Sequence, residues 1–431
     1  MSAAAGLAFV GCRPQNPDVP AVREFIRDNW HTTVQHCTAD TATLIGLPYP
    51  YTVPTAGAMF REMYYWDTFF TNEGLVRDGH PELAKGNTDN LLYMVRRFGK
   101  VYNGSRTYYE ARSQTPYLSM IVDRIYRLTG DKQWLADAYQ TLKEEYGFWM
   151  RERLTPTGLN RYGSSASDAL VDEFLVTGGK RLGTDLFDKG YTPERLHKLG
   201  LDFVAEAESG WDFNPRYDRR CTDFCPLDLN ANLFMYEVNF ARFAQELGRT
   251  DEIREWIAKA ELRRARILQY CYDPEAKQFY DYVNGRRSDV LSGAVFALLY
   301  SGAVPREYAG DIVQALIPLR HRRLRGQALR LPLPVVLSQH VAPGLLLCGD
   351  GTGPLRIRQR GRTHCRQMDE SGHRIVQDDG QPLGKVQRGN GNDRCQQRIR
   401  DARDAGLDRR HLHLSGRLSG WGDAALSLIH I

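Results

Sequence analysis

The chain has 431 residues, 42% hydrophobic and 25% charged, a composition that excludes a collagen, a wholly disordered chain and a membrane bundle. Its net charge of +5 hides a division. Residues 1–319 hold 37 Lys and Arg against 42 Asp and Glu, a net of −5, whereas residues 320–431 hold 20 against 10, a net of +10.

In chain order, residues 1–50 read as an N-terminal extension. The apolar run at 7–12 is short and has no basic stretch before it, so no signal peptide is expected. No run of 18 apolar residues occurs, so no membrane span is expected and a cytoplasmic location is favoured. The eight cysteines fall at no zinc-ligand spacing, so neither a metal site nor a disulfide framework is expected.

From residue 60 helical periodicity dominates. Apolar side chains recur every three to four positions over 81–98, 116–128, 132–149, 230–247 and 251–270, and strand alternation is rare. Gly79-His80-Pro81-Glu82, Gly130-Asp131 and Gly248-Arg249-Thr250-Asp251 read as joints. Each has a glycine to stop one helix and an acid to start the next, where the helix dipole favours it. Their spacings, 51 and 118 residues, suit one and two helix-pair repeats. Stacked hairpins of this period form an open solenoid or a closed toroid. The long polar, aromatic loops favour the toroid, whose loops converge on one cleft.

Three loops carry chemistry. Residues 60–70 pack Phe60, Tyr64, Tyr65, Trp66, Phe69 and Phe70 around Asp67. Aromatic faces stack on sugar rings and a carboxylate accepts from sugar hydroxyls, although a core helix with one surface acid reads the same. Residues 103–114 offer Asn103, Arg106, Arg112 and Gln114 to a neutral polyol, or to solvent. In Glu208-Ser209-Gly210-Trp211-Asp212-Phe213 an Asp sits between Trp and Phe. Desolvation there raises its pKa and suits a general acid, with a buried structural Asp as the alternative. Asp228-Leu229-Asn230 opens a helix, where an ordinary capping Asp is the simplest reading.

Together these segments resemble the trehalase family of glycoside hydrolases. That family's Pro-Gly-Gly-Arg-Phe-x-Glu-x-Tyr-x-Trp-Asp signature is matched by Phe60, Glu62, Tyr64, Trp66 and Asp67. Its Asn-Gly-x-Arg and Arg-Ser-Gln are matched by Asn103, Gly104, Arg106, Arg112, Ser113 and Gln114. Its Glu-Ser-Gly-Trp-Asp-Phe is matched by residues 208–213, and its Asp-Leu-Asn by residues 228–230. The resemblance runs over about residues 50–300 and implies an all-α fold, an (α/α)6 toroid of helical hairpins. It implies inverting hydrolysis of an α,α-linked glucose disaccharide, with Asp212 as general acid. Phe60, Tyr64, Trp66, Asp67, Asn103, Arg112, Gln114 and Trp211 become substrate-binding residues. The expected partner is that small disaccharide, with no cofactor, no nucleic acid and no membrane, bound by a monomer. An inverting pair of carboxyls stands about 6.5–9.5 Å apart. Two departures leave another α-glucoside open. Met59 stands where the family has Arg, and Leu159-Asn160-Arg161-Tyr162 is followed by Gly163-Ser164-Ser165 rather than the family's Pro-Arg-Pro-Glu.

The last stretch, 320–431, has 19 Arg but one Lys and no Tyr or Phe, although the chain holds 22 Tyr and 17 Phe. Residues 331–343 can be written with codons that, read one nucleotide later, give Tyr-Arg-Tyr-Gln-Trp-Ser-Tyr-Pro-Asn-Thr-Trp-Pro-Pro. Residues 383–386 read the same way give Leu-Glu-Lys-Tyr. Both are segments the family resemblance leads one to expect late in the chain, in that order, and the second carries the general base. The tail therefore reads as frame-shifted, with the slip near 315–330, and the toroid domain, 51–319, is incomplete at its C-terminal end. The base is absent from the written sequence, so little turnover is expected, and a non-catalytic sugar-binding remnant is the alternative. The rival reading is a basic arm for phosphates, but its Arg are scattered, without aromatic interleaving.

Overall fold

The computed structural model describes residues 18–57, 59–183 and 185–314. The tail at 320–431, read above as shifted, lies outside the described residues.

Eleven α-helices make up the architecture among the described residues. Helix α1 is Asp18–Thr33. Ten more follow in sequential pairs: α2 (Tyr65–Arg77) on α3 (Pro81–Phe98), α4 (Leu118–Thr129) on α5 (Lys132–Glu152), α6 (Asp168–Leu182) on α7 (Pro193–Ser209), α8 (Leu227–Glu246) on α9 (Thr250–Cys271), and α10 (Phe296–Ser301) on α11 (Ala309–Gln314). These are the helical hairpins that the periodicity leads one to expect, arranged as the all-α toroid that the loops favour and the family resemblance implies. The few strands are two residues long and lie in the connections.

The joints fold as their chemistry dictates. Gly130 caps α4 in the left-handed conformation, and the Asp131 carboxylate accepts from Trp134 N–H at 2.9 Å to open α5. Pro81 starts α3, where its missing N–H costs nothing. Helix α1 is pinned by Trp30, whose indole donates to Asp78 at 2.6 Å and whose ring rests on Gly74 of α2.

Helices α2, α4, α8 and α10 turn inward in succession, α2 touching α4, α4 touching α8 and α8 touching α10. Tyr300 of α10 returns to Phe69 of α2, with ring centroids 6.3 Å apart. Helix α8 is buried on nearly every side, so its polar residues need partners. Glu237 is held by Arg263 of α9 and by the Tyr146 hydroxyl of α5. Deep in the largest core cluster the Tyr65 and Tyr236 hydroxyls both donate to Glu145, each at 2.5 Å. Helices α6 and α7 stand apart with a small core of their own, built on Val171, Leu175, Leu186 and Phe203.

Among the described residues no helix is long and apolar enough to cross a membrane, and no group of three or more His, Cys, Asp or Glu could hold a metal ion.

Candidate functional site

Four loop segments come together at one end of the hairpins. They are residues 60–67 leading into α2, residues 103–117 between α3 and α4, residues 160–167 ahead of α6, and residues 208–217 after α7. Backbone bonds join the first two: Tyr65 N–H donates to Asn103 O at 3.1 Å, and Ser105 N–H to Met63 O at 2.8 Å. Glu208 joins the others. Its carboxylate accepts from Ser113 N–H at 2.9 Å, from Gly163 N–H at 2.8 Å, and from Arg153 through Nε and Nη2 at 2.9 and 3.0 Å. One buried side chain thus holds three distant segments in register.

Helix α7 stops at Gly210, with φ +74. A Cβ there would stand 2.7 Å from the Trp66 ring, so this position needs glycine both for its backbone and for the close approach. Trp211 turns inward. It is 1% exposed, and its indole N–H donates to Asp228 Oδ2 at 2.8 Å. Beneath it the Arg216 guanidinium lies 4.5 Å from the Trp211 ring and bridges Asp228 and Asp281, each at 2.8 Å from Nη2. Asp228 is therefore a buried anchor rather than a helix cap, and Pro226 occupies the N-cap of α8. Asp212 turns the opposite way, out to solvent.

The Asp212 side chain is reached by water, yet protein atoms crowd its carboxyl. That crowding raises its pKa above the usual carboxylate range, and the charges of Arg112 and Arg181 oppose the rise. Arg112 is clamped between the rings of Tyr109 and Phe174, at 4.7 and 5.0 Å. Its buried Nε has no hydrogen-bond partner. Arg181, in the last turn of α6, lies 4.6 Å over the Phe213 ring.

The other expected residues are placed as follows. Trp66 N–H donates to Gln114 Oε1 at 2.9 Å, which ties the start of α2 to the loop after α3. Asp67 is half-buried in the first turn of α2, and burial pushes its carboxyl up to about 6 against the pull of its own backbone N–H and of Trp66. Asn103 is buried and its amide donates to Ala207 O at 3.1 Å. Phe60 is 51% exposed at the mouth, edge-on to Tyr64 with centroids 5.9 Å apart. The Tyr64 hydroxyl donates to Glu62 at 2.6 Å and shares a hydrogen bond with Tyr109 at 3.0 Å. Of the nine residues expected from sequence, Trp211 faces inward, away from the solvent that Asp212 meets. The sequence reading missed Arg181, Phe174 and Glu206. Arg181 and Phe174 lie on α6, which carries none of the matched motifs. Glu206 is a carboxyl on the inner face of α7, buried near Asp212.

A toroid of helical hairpins with a carboxyl set among cations and aromatics at its loop end defines a class, that of the helical-toroid glycoside hydrolases. Within it the family model described as Trehalase matches residues 8–328, and the chain belongs to the trehalase family. The fold is similar to that of neutral trehalase from Saccharomyces cerevisiae, at 25% identity and a TM-score of 0.55, over 69% of this chain and 61% of that one. The chain thus spans less than two thirds of that enzyme's length. Lower similarity extends to a GH78 family rhamnosidase of Bacillus sp. GL1, at 15% identity and TM-score 0.46 over 70% of this chain and 26% of that one. It extends also to a GH63 mannosylglycerate hydrolase from Thermus thermophilus, at 16% and 0.42 over 61% and 72%.

Proposed function

We propose that the cleft binds an α,α-linked glucose disaccharide, and that Asp212 is the general acid of an inverting hydrolysis. The observation that carries this reading is the Asp212 carboxyl itself, open to the cleft, raised in pKa by crowding and flanked by Arg112 and Arg181. A carboxyl that keeps its proton can deliver it to a glycosidic oxygen as the bond breaks. Asp67 accepts sugar hydroxyls, Trp66 and Phe60 offer ring faces, and Asn103, Arg112 and Gln114 complete the polar wall. Tyr64 braces Phe60, and Trp211 holds the acid from behind.

The inverting reaction needs a second carboxylate to activate water on the far face of the sugar. In the written frame no Glu-Lys-Tyr segment exists, and the glutamate codon of the shifted frame straddles Gly384 and Lys385. The chain as written therefore binds but turns over little. The match to the family ends at residue 328, inside the stretch where the composition changes, which supports the reading of a slipped frame. Resequencing codons 300–400 tests it. A lost or gained nucleotide near codon 320 restores the base, and the restored protein is expected to release glucose from trehalose with inversion, read by polarimetry. An intact frame, or wild-type-like hydrolysis by the chain as written, contradicts the reading.

One alternative has its own support. Met59, 69% exposed at the mouth, stands where the family has Arg, and Gly163-Ser164-Ser165 replaces a charged segment. Both changes favour a different α-glucoside, and comparing release from trehalose with release from other α-glucosides decides between them.

A further inference from the structure

Glu206 lies in the last turn of α7, 1% exposed, on the face that looks toward the acid loop. Its Oε2 accepts the Phe213 N–H at 2.9 Å, and its Oε1 is buried without a partner. Phe213 has φ +55, in the left-handed region that a bulky residue adopts only when something holds it. The next backbone constraints come from Asn214, whose N–H returns to Trp211 O at 3.2 Å, and from Ser209 Oγ, which accepts Trp211 N–H at 3.0 Å. Asp212 sits between these fixed points, and the direction of its side chain depends on the turn at Phe213.

We propose that Glu206 is the positioning residue for Asp212: its carboxyl latches the Phe213 N–H, fixes the left-handed turn, and so aims the Asp212 carboxyl into the cleft. This rests on the reading of Asp212 as the acid. An ionised Glu206 would accept the Phe213 N–H more strongly but would add a second anion behind Asp212, so the site favours the uncharged carboxyl. Its surroundings keep it so. Burial pushes Glu206 up to about 8, Asp212 and Asp202 add to the rise, and the Phe213 N–H and Arg219 oppose it. Cys221 faces the same spot as a buried thiol, itself pushed up by burial and by the nearby carboxyls, and Arg181 lies over Phe213 from α6. A neutral carboxyl keeps the acceptor oxygen that the turn needs and leaves the field at Asp212 to the two arginines.

Two variants of the full chain separate the latch from simple packing. Glu206→Gln keeps the acceptor and cannot ionise. Glu206→Met keeps the volume and loses the acceptor, and Glu206→Ala replaces it should the Met variant fail to fold. Hydrogen exchange at the Phe213 amide at pH 6 is expected to match wild type in the Gln variant and to run at least tenfold faster in the Met variant, with the rest of α7 unchanged. Trehalose affinity, measured by calorimetry, is expected to fall at least tenfold in the Met variant and to return in the Gln variant. The melting temperature of the Gln variant should rise relative to wild type from pH 5 to pH 8, which checks that the wild-type carboxyl is buried uncharged; the exchange and affinity readouts are what separate the latch from burial. An unchanged Phe213 exchange rate in the Met variant, or a Gln variant that behaves like it, overturns the proposal. A wild-type chain that binds no trehalose while the exchange pattern holds sinks the trehalose reading and supports the latch.

Discussion

Gly210 shows how little room a single residue has beside this cleft. Its φ of +74 and the Trp66 ring, 2.7 Å from where a Cβ would be, exclude any side chain without movement. Gly210→Ala is expected to cost about 1–3 kcal/mol of stability in denaturant melts and to displace Trp66 from Gln114. At the same scale Glu145 sets a pH dependence. It is buried in the core between two tyrosine hydroxyls, and burial pushes it up to about 7 from an ordinary 4.5. The folded chain therefore holds a proton there that the unfolded chain releases. Stability from this group is full below about pH 4.5 and lost as pH rises to about 7. The difference in melting temperature between wild type and Glu145→Gln should move in the variant's favour across that window. A flat difference would mean that Glu145 is ionised in the fold.

At the scale of elements, Arg216 joins the acid loop to α8 and to the strand connection after α9. It is fully buried, with Asp228 on one side and Asp281 on the other. Arg216→Met removes one charge and leaves two carboxylates buried, which is expected to cost about 3–5 kcal/mol and to loosen Trp211. Equilibrium unfolding checks the first part, and Trp fluorescence the second. The elements themselves were unevenly legible. Helices α3, α4, α5 and α9 follow the apolar periods to within a few residues, because each buries one stripe against a neighbour, and α8 follows its period although it is buried on nearly every side. The apolar periods do not single out helices α6 and α7. Gly178 and Gly179 lower the helix propensity of α6, and its apolar face serves a small separate core rather than the main one. In the candidate site, the motifs name loops that the structure brings together at one end of the hairpins, although they lie far apart along the chain. Arg181 and Glu206 stayed hidden because a helical sequence does not say which of its charges face inward until the packing partner is known.

At the scale of the whole molecule, the hairpins must meet around an axis for the loops to converge. The return of Tyr300 to Phe69 joins residues far apart in sequence, and such contacts form late and at an entropic cost. A protein with the restored frame is expected to melt at a higher temperature than the chain as written, because the further helices that the family resemblance implies would bury additional apolar surface. Differential scanning calorimetry of the two proteins measures this, and equal melting temperatures would count against the slipped frame.

Glu208 adds a dimension of time to this arrangement. Every group it holds, Ser113, Arg153 and Gly163, precedes it in the chain, so a nascent polypeptide emerging from the ribosome can set this clasp as soon as α7 forms. Arg216 has the opposite dependence, since Asp228 and Asp281 follow it by 12 and 65 residues. During synthesis the acid loop is thus tethered on one flank while its other flank waits, with a buried-to-be cation still in water. The pocket is finished only when the ribosome has moved well past it.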